Sequence, residues 1–249
     1  MATSTGPVFL MGEYPMVVEM GETLHQHGIE FMCRVDIPPG AQKLPPYFRK
    51  SVSMPRRASV CFELSNLNET AKRKNLSLLD KTFRPPALII SSSVTTSISR
   101  QAGWMRHPSR LVGLGALPTL LRQPLAEIAF PIDADNGTIA KTREFFVHIG
   151  KEVSVIQDRA GMVMPRILCA LINEAFFAVM QGIASAADVD VAMKLGTNYP
   201  SGPIEWANRI GLEQVQAVLH AIRDETGEER YRTAPLLEQM AARRPWWNG

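Results

Sequence analysis

The spacing of apolar residues changes once along this chain, near residue 158, and that change constrains the fold. Before it, short apolar runs alternate with helical spacing, as where the run 7–11 is followed by helical spacing over 15–27 and then by a second run. Strand, helix and strand in this order form the βαβ unit of a parallel sheet. After the change, apolar residues recur three or four positions apart, which is typical of amphipathic helices. We therefore predict an α/β domain with a mainly parallel sheet over 1–157 and an all-α domain over 158–249.

The individual elements follow from the same patterns, and one segment departs from them. Residues 37–57 contain five prolines, a composition that favours an extended connection over a helix. The other predicted elements are strands over 29–35, 58–64, 87–91, 110–114, 125–130 and 152–156, and helices over 68–81, 138–149, 162–182, 185–196 and 212–224, with shorter helices opening at Pro203 and over 236–243.

Composition and charge exclude several classes of function. The net charge is +3 and the charged residues are mixed in sign along the chain, so no basic face for nucleic acid is predicted. No apolar run approaches the roughly 18 residues that span a bilayer, and residues 1–6 show no secretory pattern, so we expect a cytoplasmic protein without a membrane segment. Cys33, Cys61 and Cys169 stand far apart among apolar neighbours, which predicts buried thiols and no metal site.

Four motifs follow one another in the second half of the chain. They are Asp158-Arg-Ala-Gly, Asn173-Glu-Ala, Asp188-Val-Asp and Tyr199-Pro-Ser-Gly-Pro. In this order, behind a parallel α/β domain, they make the chain similar to the 3-hydroxyacyl-CoA dehydrogenases, and the segment 227–233 resembles the branch found in phenylacetate and adipyl-CoA degradation. The resemblance implies a Rossmann-like domain that binds NAD, oxidation of the 3-hydroxyl of an acyl-CoA thioester, and a homodimer formed through the helical domain.

The turn after the first strand of a dinucleotide-binding fold needs three glycines. They allow the tight turn, the close approach of the backbone to the pyrophosphate, and the packing of the helix on the sheet. Gly12 fits the first position, but Tyr14 and Val17 stand at the other two, and Glu13 adds a carboxylate where pyrophosphate would bind. Asp36 lies near the position expected of the acidic ribose ligand. We predict a degenerate NAD site in which Gly12 and Asp36 remain as cofactor-binding residues.

Two more cofactor-binding residues follow from the resemblance alone. Glu63 and Lys72 match family positions on the nicotinamide side of the cofactor. The alternatives for the same residues are a carboxylate at a strand end and a solvated lysine on a helix, within the basic run 72–74.

The catalytic residues that the resemblance implies are mostly replaced. The family's base is a histidine, whose position here is Gly115, whereas Glu127 remains at the position of the glutamate that orients the histidine. Val94 and Pro165 stand where the family has a hydroxyl and an amide that contact the substrate. Because a base must lie within hydrogen-bond reach of the proton it removes, Glu127 is the one catalytic candidate left. None of the histidines at positions 25, 27, 107 and 148 is expected to replace the missing base.

Three functions remain open from the sequence. The favoured one is a folded, dimeric family member with little or no dehydrogenase activity alone, acting as a scaffold, as the partner of an active paralogue, or as an acyl-CoA-binding protein. The second is an active NAD-dependent dehydrogenase that oxidises a 3-hydroxyacyl-CoA to a 3-oxoacyl-CoA and uses Glu127 directly, because its environment can tune a buried carboxylate to act as a base. The third is a purely structural module that assembles through its helical domain.

Overall fold

A computed structural model of the chain describes residues 6–51, 54–55 and 57–243. The eight strands of this part are β1 Val8–Gly12, β2 Phe31–Val35, β3 Arg49–Lys50, β4 Val60–Leu64, β5 Leu88–Ser92, β6 Leu111–Leu114, β7 Leu125–Ala129 and β8 Glu152–Val155. They form one sheet in the order β3-β2-β1-β4-β5-β6-β7-β8. Neighbouring strands are parallel except for β6 and β7, which are antiparallel. The prediction of a mainly parallel sheet is confirmed.

The α-helices of the described residues fall into two groups along the chain. Those interspersed with the strands are α1 Tyr14–Gln26, α2 Glu69–Thr82, α3 Ile98–Ala102 and α4 Asn136–His148. Those that follow the last strand are α5 Met164–Met180, α6 Ala186–Thr197, α7 Pro203–Ile210, α8 Leu212–Thr226 and α9 Pro235–Ala241. The prediction of an all-helical second half is confirmed, and the predicted boundary between residues 157 and 158 falls in the connection between β8 and α5.

Polar side chains start several helices where the sequence changes from strand or loop to helical spacing. Asn68, Asp135 and Ser185 each accept the backbone N–H of the residue three positions further on, at 2.8, 2.6 and 3.2 Å. Such N-caps satisfy amide groups that the helix itself cannot, and each stabilises a helix by about 0.5–2 kcal/mol. The predicted start of a helix at residue 185 agrees with Ser185 being the N-cap of α6.

Three features of the fold were not predicted. The proline-rich segment contributes the edge strand β3, which pairs with β2, although its other described residues form turns and irregular chain. The short helix α3 has too few residues for a periodic pattern. Between β6 and β7 only ten residues and one 3-10 turn intervene. A parallel crossover needs about a dozen residues and usually a helix, so this connection reverses the chain direction and makes β7 antiparallel to β6.

The two faces of the sheet support two hydrophobic cores. Because side chains alternate along a strand, Leu10 of β1 points to one face, where it packs with residues of α1 and α4 such as Met16 and Phe146. Phe9 points to the opposite face, where it packs with α2 and with helices of the second half, including Ile172 of α5. The helical half therefore shares a continuous core with the sheet.

The motifs that identify the second half hold its helices together. The Asn173 side chain donates to the Arg232 carbonyl at 2.9 Å and accepts the Ala234 N–H at 2.8 Å, which fastens the C-terminal segment to α5. The Asp190 carboxylate accepts two amides at the start of α7. Gly202 lies so close to Asp190 that a side chain there would overlap the carboxylate. These contacts give the motif residues a structural role in the helical domain.

The structure also bears on the predictions for the cysteines and for membrane-spanning segments. Cys33, Cys61 and Cys169 are all buried and free, as predicted. None of the helices in the described ranges is long and apolar enough to cross a membrane. The predicted cytoplasmic location stays a prediction.

Candidate functional site

A large cleft opens where the strand order reverses, at the carboxyl ends of β1, β2 and β4. Its volume is about 1140 Å³, and residues 208–214 of α7 and α8 form its opposite wall. Gly12 and Asp36, which the sequence predicts as cofactor-binding residues, both line it. Asp36 is the first residue after β2 and is exposed to the cleft. Open parallel sheets place their ligands at such a switch point, so this cleft is the candidate binding site.

Gly12 is required here by the path of the backbone. It ends β1 with φ of 134°, in the region that side chains rarely adopt, and a Cβ atom at this position would overlap the backbone of Leu64 in β4. The first glycine of a dinucleotide turn serves the same purpose. Its presence therefore reflects the close approach of β1 to β4, whether or not a ligand is bound.

The rest of the turn does not fit a pyrophosphate group. Tyr14, at the second glycine position, extends its hydroxyl to the Gln42 carbonyl at 2.5 Å and so joins the turn to the proline-rich segment. Val17, at the third, is fully buried between α1 and the sheet. The Glu13 carboxylate accepts hydrogen bonds from the backbone N–H groups of Asn66 and Leu67. The residues that should admit pyrophosphate are thus a large ring, a branched side chain and an anion.

Glu63 and Lys72 are brought together by the structure, but away from the cleft. Lys72 Nζ lies 2.5 Å from Glu63 Oε2, and both side chains are essentially inaccessible to solvent. Lys72 also donates to the Ser91 hydroxyl and the Ser92 carbonyl, at 3.1 and 2.8 Å, and Asn75 donates to Glu63 Oε1 at 3.0 Å. The alternative of a solvated Lys72 is wrong, because α2 turns this residue toward the sheet. The pair bonds internally and does not line the cleft, so cofactor binding by these two residues stays a prediction without support from the geometry.

The catalytic candidate Glu127 is held by the start of α5. Its Oε2 accepts the Val163 N–H at 3.0 Å and its Oε1 accepts the Met164 N–H at 2.8 Å. Gly115, the position of the family's histidine, lies beside it: a Cβ atom there would stand 3.3 Å from Glu127 Oε2 and 3.4 Å from Met162 Sδ. An imidazole at position 115 would therefore reach the carboxylate, whereas the glycine leaves it to bind backbone amides.

The remaining substrate positions offer no polar group to a ligand. Val94 is fully buried, and its carbonyl accepts the Gly161 N–H at 2.8 Å. Pro165 is buried in the first turn of α5. Val94 belongs to the core that the sheet shares with α5, and both positions hold apolar side chains where the resemblance implies polar contacts with the substrate.

The five histidines lie away from Glu127. His25 stacks on Tyr47, with ring centroids 3.8 Å apart, and His27 contacts the Thr23 carbonyl at 2.9 Å. His107 is half-exposed beside Asp80 at 3.1 Å. His148 and His220 lie on exposed surfaces of α4 and α8. The expectation that no histidine replaces the missing base agrees with these positions.

Sequence reasoning missed the polar groups that fill the switch point. Asn66, Ser92 and Gln214 are buried there and hydrogen-bonded to one another, with Asn66 Nδ2 3.0 Å from Gln214 Oε1 and Ser92 Oγ 2.6 Å from Asn66 Oδ1. Asn66 could have been suspected, since it follows β4 at the carboxyl edge of the sheet. Gln214 carries no such signal, because a polar residue in an amphipathic helix is ordinarily assigned to its exposed face.

The fold and the cleft define a class of protein. A parallel sheet with this strand order, a cleft at its switch point and a helical domain across that cleft is the architecture of two-domain, dinucleotide-dependent dehydrogenases. Two family descriptions match along the chain: "3-hydroxyacyl-CoA dehydrogenase, NAD binding domain" over residues 48–159 and "3-hydroxyacyl-CoA dehydrogenase, C-terminal domain" over residues 161–245. The chain belongs to the 3-hydroxyacyl-CoA dehydrogenase family.

Individual relatives agree with this assignment. The chain is 32% identical over 169 residues to the 3-hydroxybutyryl-CoA dehydrogenase of Bradyrhizobium diazoefficiens, a match that covers 68% of this chain and 58% of that protein. It is 39% identical over 113 residues to the 3-hydroxyadipyl-CoA dehydrogenase of Escherichia coli, which covers 45% of this chain and 24% of that protein. The matched region spans 58–63% of the length of the first curated relatives.

Solved structures show the same fold over almost the whole chain. FadB2 of M. tuberculosis superposes with a TM-score of 0.83 at 22% identity, covering 95% of this chain and 93% of that one. The (S)-3-hydroxybutyryl-CoA dehydrogenase PaaH1 of Ralstonia eutropha gives a TM-score of 0.79 at 25% identity, covering 96% and 94%.

Proposed function

We propose that this chain is a family member that does not oxidise 3-hydroxyacyl-CoA and acts instead as a dimeric partner protein with acyl-CoA as its ligand. The observation that carries the proposal is the pair formed by Gly115 and Glu127. Position 115 has no titratable group, and the neighbouring carboxylate binds two backbone amides. General-base catalysis needs a group that reaches the substrate proton, and this pair supplies none.

The environment of Glu127 also makes it a weak replacement for the base. Its two oxygens already accept the Val163 and Met164 N–H groups, at 3.0 and 2.8 Å. A substrate hydroxyl would have to compete with these two amides for the carboxylate. The carboxylate therefore serves the start of α5.

A steady-state assay of NADH formation tests the proposal. The purified chain is incubated with NAD and with 3-hydroxybutyryl-CoA or 3-hydroxyadipyl-CoA, the substrates named in the relatives, and an active relative is assayed in parallel. We expect no turnover above the no-enzyme blank. Turnover at the rate of the active relative would refute the proposal.

The competing function is an active dehydrogenase that uses Glu127 as its base, and two observations favour it. Glu127 is retained at the position of the family's orienting glutamate, and the relatives that match the chain carry dehydrogenase names. In that case Glu127→Gln abolishes turnover, while Glu152→Gln on the neighbouring strand β8 does not. An unchanged rate in Glu127→Gln would discard this function.

The helical domain supports assembly with a second copy of the chain. Eight of the fourteen exposed large apolar side chains in the described residues lie within 163–199, although this segment is a small part of the chain. Ile167, Ile183 and Leu195 are 61%, 71% and 83% exposed. Exposed apolar side chains concentrated in one segment support an interaction site there, since large exposed apolar patches mark such sites. We expect a homodimer by size-exclusion chromatography with light scattering, and a monomer for Leu195→Glu.

A monomeric wild-type chain would count against the dimer and equally against a purely structural module that assembles through this domain.

The cleft supports acyl-CoA as the ligand. Its volume of about 1140 Å³ lies just above the range of roughly 300–1,000 Å³ of ordinary ligand pockets, and its lining combines apolar residues of α2 and α8 with Arg34 and Lys74. These two cations can contact the 3′-phosphate of coenzyme A, which is separate from its pyrophosphate, whereas Asp36 can accept a ribose hydroxyl. Calorimetric titration with butyryl-CoA and with free coenzyme A checks this part of the proposal. Absence of heat from both ligands at millimolar concentration would exclude it.

A further inference from the structure

The carboxylate of Glu13 lies at the switch point of the sheet, and its oxygens are engaged there. Oε1 accepts the backbone N–H groups of Asn66 and Leu67, each at 2.7 Å. Oε2 accepts a hydrogen bond from the side-chain amide of Gln214 on α8. Three donors from two distant parts of the chain therefore converge on one negative charge.

The backbone directs the carboxylate to this point. Gly12 allows β1 to end against β4, and the Glu13 N–H donates to the Leu64 carbonyl at 2.8 Å. Glu13 is the N-cap of α1, yet its side chain makes no capping hydrogen bond to that helix. It extends instead to the loop after β4, so the local chain path and not the helix determines where the charge lies.

Backbone N–H groups that converge beside a helix N-terminus ordinarily bind the phosphate of a ligand. Here the chain supplies its own anion to those donors. We infer that Glu13 is a tethered anion that takes the place of a ligand pyrophosphate, and that this residue, rather than loss of the cleft, excludes a dinucleotide. The inference deepens the proposed function by naming the group that keeps the cofactor out, but it concerns binding and not turnover.

The Glu13 contact also draws the helical domain onto the sheet. Asn66 Nδ2 donates to the Ala116 carbonyl at 2.9 Å and to Gln214 Oε1 at 3.0 Å, and Asn66 Oδ1 accepts the Ser92 hydroxyl at 2.6 Å. Glu13 and Asn66 thus hold Gln214 between them. The Glu13 side chain, which binds the amide groups after β4, therefore also holds α8 across the switch point through Gln214.

Inorganic pyrophosphate is the probe that tests this inference on the full chain. Its dissociation constant is measured by calorimetry at constant ionic strength for wild type, Glu13→Ala, Glu13→Gln and the control Glu30→Ala. Glu30 is an exposed carboxylate at the opposite edge of the sheet, just before β2. We expect both Glu13 variants to bind pyrophosphate at least tenfold more tightly than wild type, and Glu30→Ala to bind like wild type.

Equal affinity in all four proteins, or no binding by either Glu13 variant, overturns the inference. If Glu13→Ala does not fold, Glu13→Gln carries the test, because it keeps the shape of the side chain and removes only the charge. Gln214→Ala separates the interdomain contact from the anion: it should not gain affinity for pyrophosphate, and a gain equal to that of the Glu13 variants contradicts the role given to the carboxylate. NADH formation by wild type would refute the proposed function and the exclusion of the dinucleotide together, whereas unchanged pyrophosphate affinity in the Glu13 variants, without turnover by wild type, would refute the inference alone.

Discussion

Replacing Glu127 by glutamine distinguishes a structural carboxylate from a catalytic one. Both oxygens accept amides at the start of α5, at 3.0 and 2.8 Å, and the residue is only 8% exposed. The side-chain oxygen of glutamine can accept a hydrogen bond from one of these amides, but its NH₂ group faces the other. That second backbone N–H is left without a hydrogen-bond acceptor, which costs about 1–3 kcal/mol. Loss of the charge beside the helix N-terminus adds about 0.3–1 kcal/mol. We expect the free energy of unfolding to fall by about 1.3–4 kcal/mol.

Urea unfolding followed by circular dichroism measures this change. Glu152→Gln is the control, because Glu152 is exposed on β8, the strand beside β7, and its replacement should change stability by less than about 0.5 kcal/mol. A change of that small size in Glu127→Gln would refute the reasoning that this carboxylate serves the start of α5. Loss of turnover without loss of stability would instead identify Glu127 as the base.

Three further substitutions test the rest of the structure. Asn173→Ala removes both contacts to the C-terminal segment and should lower the free energy of unfolding by about 2–3 kcal/mol, seen as a lower urea midpoint. An unchanged midpoint would exclude the fastening role. Gly202→Ala should destabilise the chain by at least about 2 kcal/mol because of overlap with Asp190, and a neutral effect would contradict that contact. Burial raises the pKa of Asp80, but hydrogen bonds led by Arg110 outweigh it and hold the pKa below its ordinary value. The stability that wild type has over Asp80→Asn should therefore be complete above about pH 4 and lost as the pH falls through the folded-state pKa; a difference in stability that does not change as the pH is lowered from about 7 to the acid transition would argue against an ionic role.

Much of the architecture could be predicted because it depends on local periodicity. Strands buried on both faces appear as apolar runs, and α5 appears as a stripe of apolar residues on one helix face. The direction of β7 could not be read in this way, since it depends on the length of the connection after β6 rather than on either strand. The edge strand β3 escaped prediction because two exposed residues carry no hydrophobic pattern.

The candidate site was predictable only in part. The absence of a base at Gly115 and the obstruction at Tyr14 follow directly from the residue types at those positions. The partners of charged groups do not: Lys72 points inward and pairs with Glu63, although neighbouring basic residues suggested a solvated face. Gln214 lies 201 residues from Glu13, so their contact depends on how the two halves of the chain pack.

The combination of retained and replaced residues has a simple physical interpretation. The residues that carry the family resemblance in the helical half, such as Asn173 and Asp190, bind backbone groups and keep the fold. The positions that would contact cofactor and substrate hold a glycine, apolar side chains and the carboxylate of Glu13. The proposed function thus combines a stable fold with a cleft that does not support hydride transfer.

Titration of the wild-type chain with NADH, followed by nicotinamide fluorescence and repeated with NAD by calorimetry, tests the central claim most directly. The account predicts no saturable binding of either nucleotide below millimolar concentration, because Glu13 occupies the pyrophosphate position and Tyr14 crowds the turn. Saturable binding with a micromolar dissociation constant would contradict it.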